Sequence, residues 1–294
     1  MAAFKAYVIW FRQQQLPLIN GFQMAAGGFG ALTATAPVEA ALGATDWRGV
    51  FFILALITLA IAAAVYFVVP EKKIASNSDS IKDQLNGIVS VFSSLTFWRI
   101  APLTVMSQAA FLAIQGLWSG PWLRDVAGLE REMIAQVLFM IAAAMVAGFI
   151  LMGAVAERLS RLGIKPIVIA GAGMTAFMIT QCLVILEVTS WVRTLWVLFG
   201  IFGTTGIISY AVLSQSFPVH LSGRVNTGIN LLVFICAFAA QWGIGAIINL
   251  WPVTAAGGYA PPGYQAGFTM MLCLQVISLL WFFIASIRMA RRNN

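Results

Sequence analysis

The sequence predicts an all-α integral membrane protein with eight transmembrane helices. Eight apolar stretches of roughly 20 residues, separated by short polar breaks, account for nearly all of the chain, and each can cross a bilayer core. Hydrophobic residues make up 61% of the 294 positions and charged residues only 9%, which excludes a soluble domain of this length. Lys and Arg also segregate between alternate loops, as the positive-inside rule requires.

In chain order the spans fall at Pro17–Leu42, Trp47–Val69, Arg99–Trp122, Met133–Val155, Pro166–Leu186, Leu195–Phe217, Asn226–Trp251 and Phe268–Ile287. An even count puts both termini on one side. The loops of that side hold 13 of the 17 Lys and Arg, from Lys5 and Arg12 to Arg288, Arg291 and Arg292, and the other side has only Arg48, Arg124, Arg131 and Arg193. The cation-rich side is therefore read as cytoplasmic, in a plasma or bacterial inner membrane. The net charge of +7 reports this topology and gives no reason to expect a nucleic-acid partner. Met1–Arg12 lacks the h-region and cleavage site of a signal peptide, so the first span is expected to act as the insertion signal.

Pro70–Trp98 is the longest polar break and divides two spans from six. Within it Ile81, Leu85, Ile88, Phe92 and Leu95 recur at helical spacing, opposite Lys82, Asp83, Asn86, Ser90 and Ser93. A helix on the membrane surface fits, and so does a linker helix packed under the bundle. A weak repeat relates Phe11–Asn20 to Phe217–Asn226, each leading into a Gly-rich span and then an aromatic-led start of the next, at Trp47-Arg48 and Tyr264-Gln265. Parallel repeats of this kind are a transporter device.

Chemistry is sparse. Cys182, Cys236 and Cys273 lie inside spans without CxxC or His-paired spacing, so no metal site or disulfide is expected. His220, the single histidine, has no neighbouring acid or nucleophile. No P-loop and no cofactor motif occurs, and no enzyme constellation can be assembled within the spans. Gly27-Gly28-Phe29-Gly30, Gly171-Ala172-Gly173 and Gly243-Ile244-Gly245 read as close helix contacts. Pro37 and Pro121 are expected to interrupt their helices.

Several motifs then agree in order. Trp10-Phe11-Arg12 through Asn20-Gly21, Trp47-Arg48-Gly49-Val50-Phe51, Gly153 to Arg161, and Phe217-Pro218 through Gly223-Arg224 resemble loops of the major facilitator superfamily. Its members have twelve helices in two six-helix halves around a central cavity. The resemblance implies that the chain carries family helices five to twelve: residues 1–69 as the remnant of the amino half, 70–98 as the linker and 99–294 as the complete carboxy half. It implies secondary transport of a small solute by alternating access, with a coupling proton as an option and the family's first four helices supplied upstream or by a partner. A transport-inactive fragment or accessory membrane subunit is the other expectation. The Gly153-to-Arg161 run resembles the family's conformational-switch motif, with Glu157 in place of Asp and Ser160 in place of Gly, and implies a switch role for Gly153, Glu157, Arg158 and Arg161.

Polar residues inside spans are costly and need a reason. Glu39 is the one acid well inside a span; it is either a protonation or substrate-pairing site or a side chain snorkelling toward Arg48. Gln108, Gln115, Ser119 and Trp122 fall on one helical face of the third span and suggest a hydrated wall. Carried over by family position, Gln108, Gln115, Thr205, Tyr210 and Asn230 are the candidate solute contacts. Interhelical hydrogen bonds are the competing explanation for them.

Overall fold

The structure is a computed structural model that describes residues 26–30, 32–34, 36–69, 81–255 and 257–292. Among these it is entirely helical, and seven stretches are long and apolar enough to span a membrane. The helices are α1 (Ala36–Ala44), α2 (Trp47–Val68), α3 (Ile81–Phe92), α4 (Leu95–Asp125), α5 (Arg131–Arg161), α6 (Pro166–Ile185), α7 (Val192–Gly203), α8 (Gly206–Gln215), α9 (Ser222–Ile248) and α10 (Pro261–Arg292). Residues 17–25 of the expected first span lie outside the described residues, as does Trp10–Asn20. The described remainder of that span is helical at 26–30, at 32–33 and in α1, with a turn at residue 34. Pro37 has no N–H to offer the Thr33 carbonyl, which breaks the ladder at that point.

Local chemistry sets most boundaries. Asp46 caps α2 by accepting from the Gly49 N–H at 2.9 Å. Pro166 opens α6 at a position where a missing N–H costs nothing. α5 runs eight residues beyond Gly153, so the switch-like run is helix and not loop. It ends in a Schellman turn, with Gly163 at φ 86°, Gly163 N–H donating to Ser160 O and Ile164 N–H to Leu159 O.

α4 to α10 form one bundle with α4 at its centre. Its core joins Phe111, Phe177, Trp196 and Phe199 with Trp118, Trp122, Tyr264 and Phe268. Helices meet through glycines: a methyl at Gly200 would lie 2.8 Å from the Ile141 carbonyl oxygen, and one at Gly148 would lie 3.0 Å from Ile201 Cα. Gly173 and Gly245 do the same against Thr205 and Trp118, whereas Gly27, Gly30 and Gly171 meet nothing. On α3 the apolar Leu85 and Ile88 are exposed, and Gly87 and Val91 turn inward toward α9. α3 therefore packs against the bundle on one face, with Val91 in a core shared with Phe97 and Val225, and leaves Leu85 and Ile88 outside that core.

Two spans depart from regular helix. In α4, Pro121 withholds the N–H that would reach the Leu117 carbonyl, and the preceding turn, Ile114–Trp118, widens into π-helix. The expected sixth span is broken at Thr204-Thr205 into α7 and α8.

Candidate functional site

The polar candidates sit at three levels along the bundle. At the middle level is the α7–α8 break. There the Ile207 N–H turns to Thr204 O, and Gly203 O is left for the Gln108 amide, which donates to it at 2.8 Å. Thr204 and Thr205 return their hydroxyls to Ile201 O and Phe202 O. Gly206 is where the Gln108 side chain crosses, since any Cβ there would collide with it. Thr205 is fully buried and Gln108 half-buried. These two candidates therefore come together, and their bonds satisfy the break in a medium with no water to do so.

Seven residues further along α4, about 10 Å, Gln115 lies within the π segment. Ser119 donates to its carbonyl at 2.8 Å, and its side-chain amide bonds no other described residue. Gly116 and Leu117 beside it are exposed. Across Gly116 stands Gln241 of α9: a Cβ at Gly116 would be 3.6 Å from Gln241 Nε2, and the Gln241 carbonyl accepts from Trp118 Nε1 at 3.2 Å. The extra residue of the π turn rotates everything beyond it. Ser119 and Trp122 are accordingly buried, Trp122 against Trp196 at 5.5 Å between ring centroids, and the polar face expected through all four residues ends at Gln115.

The third level lies toward the cation-rich face, in a seam between α8 and α9. Tyr210 donates to Asn230 Oδ1 at 3.5 Å, and one turn on Asn226 donates to Ser214 Oγ at 3.4 Å. Both members of each pair are half-buried. Inside the bundle the space between Ile100, Thr104, Gly171, Met174 and Ser209 amounts to about 10 Å³, room for one water at most. A solute has no interior chamber there, and the polar groups it could reach lie on the bundle's flank.

Glu157 and Arg161 pair at 2.6 Å within α5, both well exposed, and Gly153 is exposed on the same helix. A pair of this type in solvent adds little stability. Glu39 falls on α1, and its side chain lies outside the described residues.

Two polar clusters were not foreseen from the sequence. Asp125, 5% exposed at its side chain, accepts from Tyr264 Oη at 2.7 Å, from the Tyr259 N–H at 3.0 Å and from Arg124 Nε at 2.6 Å, which ties the end of α4 to the start of α10. Gln181 and Gln275, both fully buried, bond at 2.7 Å between α6 and α10, and Gln181 also donates to Phe268 O at 3.0 Å. A mid-span glutamine on each helix was the available signal for the second cluster. No spacing links Asp125 to Tyr264.

Residues 2–241 match the family model described as Major Facilitator Superfamily. The Escherichia coli (strain K12) protein named "Putative transporter AraJ" is 25% identical over 173 residues, which are 58% of this chain and 40% of that protein. A bacterial homologue of the iron transporter ferroportin, crystallised in an outward-facing state, superposes with a TM-score of 0.57 at 12% identity, covering 94% of this chain and 65% of the other. A bacterial homologue of the human lysosomal transporter Spinster, inward-facing and unoccupied, gives a TM-score of 0.55 at 16% identity over 94% and 72%. At such identities these two likenesses are of fold. The chain thus spans less than half the length of the curated relative and about two thirds of the ferroportin homologue.

Proposed function

The chain belongs to the Major Facilitator Superfamily, and on that premise we propose that it is part of a secondary transporter that moves a small solute by alternating access. The observation that carries this reading is Gln115, a half-buried side-chain amide that bonds no other described residue, in a π-helical turn next to Gly116, which faces Gln241 of α9. A π turn departs from the regular ladder and recurs at functional sites. An amide held there at membrane depth needs a hydrogen-bonding partner, and a passing solute supplies one.

In this reading 99–294 is the carboxy half, 70–98 the linker and 1–69 part of the amino half. The facing wall of the cavity comes from helices equivalent to the family's first four, on the same polypeptide or on a partner. Gln115, Tyr210 and Asn230 contact solute at the outer and inner levels. Gln108 and Thr205 act at the middle level, where their bonds to the α7–α8 break would exchange as the solute passes. Glu39 is the handle for a coupling proton, and Gly153, Glu157, Arg158 and Arg161 form the switch segment on the cytoplasmic face of a plasma or inner membrane. The solute is uncharged or uses the facing wall for charge, because α8 carries no Lys or Arg, α4 none between Arg99 and Arg124, and α9 none after Arg224.

The test begins with thermal-shift screening of the purified protein against sugars, amino acids, nucleosides and organic cations, followed by radiolabelled uptake of the stabilising compound. Gln115→Leu and Tyr210→Phe should each lower uptake at equal membrane abundance. Unchanged kinetics in both would remove these residues from the path.

A further inference from the structure

A separate feature opens on the outer flank of α4 and α10, away from the three polar levels. A groove of about 330 Å³ is lined by Trp98, Pro102, Ile277, Ser278 and Trp281. Its origin is Pro102, which has no N–H for the Trp98 carbonyl one turn earlier. That carbonyl accepts instead from Trp281 Nε1 at 2.7 Å, while Trp98 Nε1 donates to Phe92 O at 2.6 Å. The two indoles are thus fixed as the walls of the groove.

Inside it every polar group is spent. Both indole N–H groups are engaged, and the Ser278 hydroxyl donates to Leu274 O at 2.8 Å. The occupant must therefore be apolar along its length. The groove is not isolated either. Ile277, Trp281, Ile284 and Arg288 follow at spacings of four, three and four on one face of α10, all exposed, so an apolar channel leads to a cation at the cation-rich membrane face. The helix then closes on Arg291-Arg292 in sequence. Tryptophans at the interface and basic residues just beyond them are the pattern that takes lipid headgroups.

The geometry points to this groove as a binding site for a single anionic phospholipid, an acyl chain lying between Trp98 and Trp281 over Pro102 and its phosphate paired with Arg288. The occupant is a bilayer lipid and not a second copy of the chain, because the groove continues into a cation that a copy of this basic chain would repel.

Native mass spectrometry of the detergent-solubilised full chain tests it, with dioleoyl phosphatidylglycerol and dioleoyl phosphatidylcholine as probes of equal chain length. One phosphatidylglycerol should be retained at about fivefold lower concentration than phosphatidylcholine, the ratio that one interfacial Arg supplies. Arg288→Gln should abolish that preference. Ile277→Trp, at a position 62% exposed, should fill the groove and lose both lipids, with Ile277→Phe as the milder variant if the first does not fold. Equal retention of the two lipids by the unaltered chain would overturn the proposal, as would phosphatidylglycerol binding that survives the Ile277 variants. A dimer that Ile277→Trp dissociates, with no retained lipid, would assign the groove to a second copy instead.

Discussion

α2 and α4 are both apolar helices of spanning length, yet α2 has no buried residue while most of the central stretch of α4 is enclosed by the protein. The difference runs against hydrophobicity. α2 has no charged residue after Arg48 and not one buried side chain, whereas α4 carries Arg99, Thr104, Ser107, Gln108, Gln115 and Ser119 and lies at the centre of the bundle. In lipid, apolar surface has no drive to leave its surroundings, and helices associate through packing of small residues and interhelical hydrogen bonds. A span that is greasy all round faces lipid or a wall outside the described residues. A span interrupted by small and polar groups is the one that its neighbours enclose.

Substitutions can break this contrast. The largest loss belongs to the α4 surroundings: Trp196→Ala removes a fully buried ring packed 5.5 Å from Trp122 and 5.1 Å from Phe199 and should cost about 3–5 kcal/mol. Trp196→Phe should cost less than about 1.5 kcal/mol, because the indole N–H it removes is buried with no hydrogen-bond partner among the described residues. Both are read from denaturation in a fixed detergent. Gly200→Val, which forces a side chain onto the Ile141 carbonyl, should cost about 1–3 kcal/mol. Gln108→Leu, which leaves Gly203 O without its donor, should cost about 1 kcal/mol. Smallest is Leu56→Ala in α2, exposed by 53%, expected within about 0.5 kcal/mol. If Leu56→Ala cost as much as Gly200→Val, α2 would be a packed helix and the contrast would fail.

Hydropathy made the spans readable, because twenty apolar residues leave the backbone no other way across a bilayer. The expected starts at Trp47 and Pro166 are the helix starts, set locally by the Asp46 cap and by the proline's missing N–H. What the pattern hid was any departure caused by a neighbour. The break at Thr204-Thr205 lies inside a span that reads as continuous by hydropathy and exists with Gln108, 95 residues away in sequence, to satisfy it. The π turn at Ile114–Trp118 shifts a helical face that a constant period of 3.6 keeps straight, which is why Ser119 and Trp122 were placed beside Gln115 and are instead buried. Asp125 with Tyr264 and Gln181 with Gln275 join positions 139 and 94 residues apart, beyond the reach of any periodicity.

The proposed transport path requires Gln115, Gln241 and Tyr210 to border water while α2 faces apolar surroundings. Cys182, Cys236 and Cys273 are replaced by Ser, single cysteines are introduced at Gln115, Gln241, Tyr210, Leu56 and the exposed apolar Phe238 of α9, and intact membranes are treated with a charged, membrane-impermeant maleimide. Labelling is expected at the first three positions, from one face or the other, and protection at Leu56 and Phe238. Protection at Gln115 and Gln241 together with labelling at Leu56 would contradict the proposed path.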